Sequence, residues 1–294
     1  MPNLNFIFWG TPDVASDTLE ILKQARILPS LIITSPDARK GRGLRLQASP
    51  VALFAEANNI PCLKPDNLDE EFTLKLSTIN YQLFVVVAYG KIIPEKILNI
   101  PKFGSINIHY SLLPKYRGAS PVESAILNGD IETGVTIQKM VYKMDAGDIL
   151  VQEKINILSD ETAPELRKRL IKLGGELLIK TLKTPSASGH SPFAGGEKQN
   201  ESLATICKKI KKEDGLLNLS DLAVKPPSEL YNKFRAYAGW PRTFFFSAQG
   251  GPASGGKNSK RIIITKASLR DGKFVIEKII PEGKKEVDYK NFNI

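Results

Sequence analysis

Cysteine and histidine are scarce in this chain, which has two of each among 294 residues. Cys62 and Cys207 lie far apart and lack C-x-x-C spacing. They are therefore expected to be reduced thiols rather than parts of a disulfide framework or a zinc site. Two histidines and scattered acidic residues also lack the spacing typical of metal ligands, so we expect no bound metal.

Long apolar runs are missing too. No segment approaches the roughly 18 apolar residues of a transmembrane helix, and the longest apolar run, residues 83–89, is typical of a buried strand. The first residues resemble neither a secretory signal nor an Arg-rich presequence. The sequence thus predicts a cytoplasmic protein without a membrane partner. No G-x-G-x-x-G follows the first predicted strand, which argues against a dinucleotide site.

Strand-like apolar runs alternate with segments of helical spacing through residue 184. This alternation predicts an α/β fold with a doubly wound, mostly parallel sheet and helices on both faces. Ser49-Pro50 and Ser120-Pro121 have the residue types of a helix N-cap and first turn. The predicted strands are residues 4–9, 30–34, 82–88, 103–109, 135–141 and 149–157, and the predicted helices are 13–26, 50–58, 69–78 and 162–182.

A segment rich in proline, serine and glycine at 185–202 predicts a linker. It would separate a catalytic domain at 1–184 from a C-terminal domain at 203–294. Beyond it, one or two helices precede short predicted strands, with a glycine-rich turn between the first two strands. These strands are residues 243–247, 261–266 and 273–278. A small β-barrel and an open sheet both fit this pattern.

Positive charge is concentrated after residue 202. Residues 203–294 carry 18 lysines and arginines against 9 acids, a net charge of +9, whereas residues 1–202 carry 23 against 22, a net charge of +1. A basic domain beside a near-neutral one favours a polyanion such as nucleic acid as partner, although a solubilising surface is the alternative. The two densest basic groups are Lys208, Lys209, Lys211 and Lys212, and Arg39, Lys40, Arg42 and Arg45.

Two motifs supply an amide, an imidazole and a carboxylate. Asn107 and His109 stand two apart on a predicted strand, so their side chains project from the same face. Asp145 follows in the run Met-Asp-Ala-Gly-Asp. These groups suit acyl transfer, because an amide and a protonated imidazole can stabilise a tetrahedral oxyanion while a carboxylate orients the imidazole. The alternative is a buried core histidine beside an ordinary turn.

The residues around these three resemble a known family. Asn107-x-His109-x-Ser-Leu-Leu-Pro-x-Tyr-Arg-Gly-Ala, with Asp145-x-Gly-Asp, is similar to the formyltransferases that use 10-formyltetrahydrofolate. Further similar segments follow the same order along nearly the whole chain, at 8–12, 35–43, 49–51, 87–94, 133–136, 211–215 and 235–241. The resemblance is greatest to the members that formylate methionyl initiator tRNA.

That resemblance implies a Rossmann-like catalytic domain followed by an OB-like barrel, a common nucleic-acid-binding fold, and we expect a monomer. It implies transfer of the formyl group of 10-formyltetrahydrofolate to the α-amine of methionyl initiator tRNA, with Asn107, His109 and Asp145 as catalytic residues. It makes both basic groups tRNA contacts, with Arg42 as the central one of its loop. It places folate beside Val87, Ala88, Tyr89, Gly90, Ser111, Leu112, Leu113, Pro114, Gly118, Met140 and Met144.

Two other functions stay open at this point. A formyltransferase for a sugar-nucleotide or ribonucleotide amine would keep the three polar residues but has no use for the basic loop at 39–45 or the basic C-terminal third. A non-enzymatic RNA-binding protein on a retired enzyme fold would keep the basic residues but need not keep all three polar ones. One departure from the family concerns the contact between linker and barrel: Asn218 and Leu219 stand where it has an acid and a tryptophan.

Overall fold

The computed structural model describes residues 4–41, 43–184, 193, 195–247 and 260–292, with only the backbone of Lys40. Contacts within the chain group it into two compact units. The first unit is Met1–Arg117, Gly134–Lys154 and Arg169–Ile206, and the second is Gly118–Thr133, Ile155–Lys168 and Cys207–Ile294. The domain boundaries predicted after residues 184 and 202 stay a prediction.

The sequence pattern located most of the regular elements, and their ends differ from prediction by a few residues at most in the first 184 residues. The strands are β1 Phe6–Gly10, β2 Leu31–Ile33, β3 Ala38–Lys40, β4 Arg45–Gln47, β5 Cys62–Leu63, β6 Leu83–Val87, β7 Ser105–His109, β8 Arg117–Gly118, β9 Glu132–Lys139, β10 Ile149–Asn156, β11 Ile206–Cys207, β12 Phe244–Phe246, β13 Arg261–Arg270, β14 Lys273–Pro281 and β15 Val287–Asp288. The helices are α1 Asp13–Gln24, α2 Pro50–Ala57, α3 Glu70–Ser77, α4 Glu95–Leu98, α5 Pro121–Leu127, α6 Ala163–Lys183, α7 Asp221–Val224 and α8 Pro227–Ala236. The pattern missed α4, β5 and the β3–β4 hairpin.

The first unit is built on a seven-stranded sheet in the order β10-β9-β7-β6-β1-β2-β5. Neighbouring strands from β5 to β7 are parallel, and β9 runs antiparallel to β7. Every residue of β1 and β6 is buried, as expected for central parallel strands covered on both faces. The predicted Rossmann-like α/β fold is therefore confirmed. Ser49 caps α2 as predicted, accepting a hydrogen bond from the Ala52 amide at 3.0 Å.

The strand order reverses at β1, which has β2 on one side and β6 on the other. Ligands of such sheets bind in the crevice outside the carboxyl ends of the strands at this point. The Thr11 hydroxyl, directly after β1, donates to the Tyr89 carbonyl after β6 at 2.9 Å and lies 3.1 Å from the Ser35 hydroxyl after β2. Three loops are thereby held together along one edge of the sheet.

The second unit contains a four-stranded antiparallel sheet in the order β12-β13-β14-β15. Helix α5 packs against α8 within this unit. Arg235 of α8 donates to the Leu158 and Glu161 carbonyls, and Tyr231 donates to the Asp160 carboxylate. Segments 118–133 and 155–168 therefore share a core with the C-terminal third. The predicted glycine-rich turn at 250–256 lies outside the described residues.

None of the helices in the described ranges is long and apolar enough to cross a membrane.

Candidate active site

Strand β7 carries the predicted amide and imidazole within the first unit. Asn107 pairs with Gln138 of β9 and His109 pairs with Thr136, so both residues sit deep inside the sheet. His109 is 5% exposed, whereas Asn107 is half-buried. None of the hydrogen bonds among the described residues uses the Asn107 side-chain amide. The strand thus presents a fixed imidazole and, two residues earlier on the same face, an amide that can donate to a substrate.

Both ring nitrogens of His109 face acceptors. Nε2 lies 2.8 Å from the Tyr116 carbonyl oxygen, and because a carbonyl can only accept, Nε2 must carry the proton. Nδ1 lies 3.6 Å from Oδ2 of Asp145. An ionised carboxylate is also only an acceptor, so the ring satisfies both neighbours when it is doubly protonated. The geometry therefore favours an imidazolium beside a carboxylate, as the sequence predicted.

The Asp145 carboxylate is held by its own turn, residues 144–148, which we call the Asp145 turn. Asp145 has φ of 50°, in the left-handed region that few residues other than glycine adopt. Gln138 Nε2 donates to Oδ1 at 2.9 Å. A Cβ added at Gly147 would lie 1.9 Å from the Lys139 carbonyl oxygen, so only glycine permits this close approach.

A second set of polar residues supports the Asp145 turn. Gln199 Nε2 donates to the Asp145 carbonyl at 2.9 Å, and the buried Arg117 binds the Gln199 side chain and the Glu201 carboxylate. We call Arg117, Gln199 and Glu201 the Arg117 cluster. Hydrogen bonds from Arg117 and then Lys143 lower the pKa of Glu201 to about 2. This exposed carboxylate thus stays charged and holds Arg117 from one side.

Gln138, Arg117 and Gln199 were not predicted as functional residues. Gln138 had a signal, because Thr136 and Gln138 alternate with apolar residues on a strand that is buried on both faces. Arg117 lay inside the recognised Tyr-Arg-Gly run but had no assigned partner. Gln199 had no signal at all, since it sits in a segment predicted only as linker.

Replacing Glu201 by glutamine should change how stability depends on pH. The folded-state pKa lies below the usual value of about 4.3, so the charged carboxylate contributes stability above that pH and loses it as the pH falls towards about 2. Urea midpoints of wild type and Glu201→Gln should therefore differ by a constant amount above pH 5 and converge at lower pH. Added salt should reduce the difference, because Glu201 is exposed. A gap that widens on acidification would contradict this assignment.

The residues predicted to bind folate occupy different environments. Ala88 and Gly90 are exposed with φ of 48° and 85°, directly after β6, and Met144 is exposed in the Asp145 turn. By contrast, the side chains of Val87, Tyr89, Ser111 and Leu113 are buried, and those of Leu112, Pro114 and Met140 are half-buried. Gly118 lies in the second unit, where an added Cβ would come within 2.3 Å of the Cys207 carbonyl oxygen. Packing alone thus accounts for Gly118, and its folate contact stays a prediction.

Tyr89 is a core residue rather than an exposed one. Its ring meets Trp9 edge-on at 5.1 Å between centroids, inside an apolar cluster. Burial raises the pKa of Tyr89 to about 12, so its hydroxyl is neutral under ordinary conditions. A contact between folate and this residue would have to use its backbone.

The basic residues predicted to bind tRNA are on the surface where the structure describes them. The predicted basic loop is a hairpin, in which Arg39 pairs with Leu46 and Lys40 with Arg45. Arg39 and Arg45 are exposed, as are Lys208, Lys209, Lys211 and Lys212. Arg42 lies outside the described residues. Within the described ranges, no group of three or more His, Cys, Asp or Glu residues could hold a metal ion.

Comparisons with known proteins agree with this site. The family model described as formyl transferase matches residues 3–182. The chain is 41% identical over 82% of its length to the methionyl-tRNA formyltransferase of Caldicellulosiruptor saccharolyticus, of which the match spans 75%. The fold resembles the solved methionyl-tRNA formyltransferase of Clostridium thermocellum, with a TM-score of 0.61, 20% identity, and coverage of 95% of this chain and 98% of that one.

A second solved structure has the same fold: the N-formyltransferase of Helicobacter canadensis in complex with folinic acid and dTDP-3-aminofucose. Its TM-score is 0.62 at 19% identity, covering 97% of this chain and 98% of that one. The likeness at this identity concerns the fold alone. The matched family model and the sequence identity, together with a buried imidazole–carboxylate pair at the end of β7, show that the chain belongs to the formyl transferase family.

Proposed function

We propose that this protein transfers the formyl group of 10-formyltetrahydrofolate to the α-amino group of methionyl initiator tRNA, in translation initiation. The observation that carries the proposal is the His109–Asp145 pair beside Asn107, in a chain 41% identical to a methionyl-tRNA formyltransferase. The formyl donor follows from the family and from the folinic acid bound by the Helicobacter canadensis relative.

The reaction forms one C–N bond and breaks another. The α-amine attacks the formyl carbon, and the carbonyl electron pair moves to oxygen to give a tetrahedral oxyanion. When that pair returns, the bond from carbon to N10 of folate breaks, N10 takes up a proton, and the attacking nitrogen loses one. An α-amine has a reference pKa of about 7.7 to 8.0, so a useful fraction is nucleophilic near neutral pH. The site must therefore supply oxyanion stabilisation and proton transfer.

Asn107 and His109 act on the oxyanion. The Asn107 amide is the direct hydrogen-bond donor, since no described residue occupies it. His109 adds positive charge, and its Nδ1 contact with Asp145, at 3.6 Å, is longer than a hydrogen bond and can open more readily than the 2.8 Å contact of Nε2. Asp145 keeps the ring charged and can hold a water that relays the proton from amine to N10.

Folate binding is proposed at the carboxyl end of β6 and along the Asp145 turn. Exposed backbone at Ala88 and Gly90 offers amide and carbonyl groups that a pterin can pair with, and these two residues follow a strand at the switch point of the sheet. Met140 and Met144 can supply apolar contact near the reacting carbon, because thioether side chains adapt to flat rings.

The second unit would supply affinity for RNA. Its antiparallel strands fit an OB-like fold, which often binds nucleic acid, and the net charge of +9 on residues 203–294 attracts a phosphate backbone. The exposed lysines at 208, 209, 211 and 212 and the basic hairpin, Arg39, Lys40, Arg42 and Arg45, are the proposed contacts.

The test is an assay of acceptors. Wild-type protein is incubated with 10-formyltetrahydrofolate and either charged initiator tRNA, charged elongator methionine tRNA, an amino-sugar nucleotide or glycinamide ribonucleotide. We expect formyl-methionyl product only with the initiator tRNA. Product with a sugar nucleotide or ribonucleotide and none with tRNA would replace the proposed acceptor, and no product with any acceptor would reject the activity.

The basic hairpin and the lysine group should have separable effects. Arg42→Lys keeps the charge but loses the planar fork that pairs bidentately or stacks, so it should be nearly as impaired as Arg42→Ala in kcat/KM on initiator tRNA. Changing Lys208, Lys209, Lys211 and Lys212 to glutamine should instead weaken binding of initiator and elongator tRNA alike. It should also flatten the salt dependence by about 0.9 in log–log slope per lost phosphate contact on duplex RNA-like targets.

Filter binding across salt concentrations and steady-state kinetics measure the two effects. Full activity of Arg42→Lys would reduce Arg42 to a charge contact. An unchanged salt slope in the lysine variant would mean that these lysines only solubilise the protein.

A further inference from the structure

Gln199 lies in the segment that leads from the predicted linker to β11, and its side chain has every strong hydrogen-bonding position in use. Oε1 accepts from Arg117 Nε at 3.0 Å and from Nη2 at 2.7 Å. Nε2 donates to the Asp145 carbonyl at 2.9 Å and to the Gly147 carbonyl at 2.7 Å. A residue of the linker segment therefore grips the backbone of the Asp145 turn at two points.

The chemistry of these neighbours requires an amide. With its oxygen and nitrogen exchanged, Gln199 would aim its oxygen at two carbonyl oxygens and its NH₂ group at a guanidinium. Glutamate lacks the donor and lysine lacks the acceptor, so neither can replace it. The same Nε2 also lies 3.3 Å from the Gln138 side-chain oxygen, and Gln138 in turn donates to the Asp145 carboxylate.

Arg117 anchors Gln199 from the other side. Its side chain is buried, and a buried charge is tolerated only with partners. Glu201 provides them through two contacts, Nη2 to Oε1 at 2.8 Å and Nη1 to Oε2 at 3.1 Å. The Arg117 cluster is therefore a fixed support rather than a flexible surface contact, and it explains the arginine of the Tyr-Arg-Gly run.

We propose that Gln199 is a positioning residue for formyl transfer, which fixes the backbone of Asp145 and thereby the distance between the Asp145 carboxylate and His109. It acts through Asp145 and does not touch a substrate. The inference rests on the proposed function for its kinetic test, but not for its spectroscopic one. Loss of this support should allow the Asp145 turn to move, and displacement of about 1 Å in such a group can lower a rate by up to about 10²-fold.

The kinetic test compares Gln199→Leu and Gln199→Glu with Asn200→Ala. Asn200 is the exposed neighbour that caps the following turn, and it makes no contact with the Asp145 turn. Both Gln199 variants should lose about 10- to 100-fold in kcat with little change in KM for folate or tRNA, whereas Asn200→Ala should match wild type. Gln199→Glu keeps the acceptors for Arg117, so it tests the lost donor in a chain whose Arg117 cluster remains paired.

A double-mutant cycle shows whether the effect passes through Asp145. On an Asp145→Asn background, Gln199→Leu should cause no further loss of kcat, because the group that it positions is already gone. An equal loss on both backgrounds would overturn the inference, as would unchanged kcat in the two single variants.

NMR supplies a measurement that needs no substrate. The chain has two histidines, so only two sets of imidazole signals arise, and His190→Gln assigns them. The His109 signals should shift in Gln199→Leu and Gln199→Glu but not in Asn200→Ala, since the carboxylate facing Nδ1 has moved. Unshifted signals would overturn the inference, whereas failure of wild type to formylate any amine would reject only the proposed function.

Discussion

Alanine in place of Asn107, His109 or Asp145 should lower kcat by about 10²-fold or more while the fold persists. Loss of one oxyanion donor typically costs about 3 kcal/mol of barrier, which is a factor of roughly 10². Asn107 and His109 lie on the strand β7, and His109 pairs with Asp145, so the three side chains serve one transition state. Steady-state kinetics with saturating folate and initiator tRNA measure the loss, and circular dichroism checks the fold.

Combinations of these substitutions should be far from additive. Asn107→Ala/His109→Ala should be only slightly slower than the slower single variant, because groups that act as a unit lose their effect together. The matched control is His190→Ala, which removes the only other histidine and should leave kcat unchanged. A double variant as slow as the product of the two single effects would argue for independent roles and against a shared oxyanion.

Gly147→Ala should impair both stability and catalysis although it adds a single methyl group. The new Cβ would lie 1.9 Å from the Lys139 carbonyl oxygen and 2.8 Å from its carbon, and backbone atoms of a paired strand cannot move aside. The Asp145 turn must shift instead. We expect a loss of about 1–3 kcal/mol in unfolding free energy, as for overpacked cores, and a kcat about 10²-fold lower, since Asp145 moves with the turn.

Gly195→Ala is the control, because no atom lies within 4 Å of a Cβ built there. It should match wild type in both urea unfolding and kcat. On an Asp145→Ala background, Gly147→Ala should still reduce stability but add little to the loss of rate. Near-normal kcat in Gly147→Ala would show that the position of the turn is not critical for Asp145.

The sequence predicted the first unit well because its signals are local. Apolar runs such as residues 83–87 can only be buried strands, and Ser49 caps its helix by a contact within one turn. The pairing of His109 with Asp145 could also be expected, since β7 fixes one residue and a short glycine-containing turn presents the other. Periodicity and turn chemistry carry this information without any long-range contact.

What the sequence did not reveal depends on contacts between distant residues. Gln199 reaches Asp145 across 54 positions and Arg117 across 82, so no spacing rule could connect them. The basic loop at 39–45 is a hairpin whose strands are three residues long and exposed, and such short strands lack the alternation that would predict them. The antiparallel sheet after residue 243 was expected from its strands, but their number and order depend on pairing partners that periodicity does not identify.

The division of the chain into two interleaved units affects how the protein can be synthesised. The first unit includes residues up to Ile206, while Gly118–Thr133 and Ile155–Lys168 belong to the second. On the ribosome these two segments emerge early and must wait for α8, against which the buried face of α5 packs. Apolar surface exposed during that interval promotes aggregation and chaperone binding. Slow translation beyond residue 206 should therefore reduce the yield of folded protein more than an equal delay before residue 118.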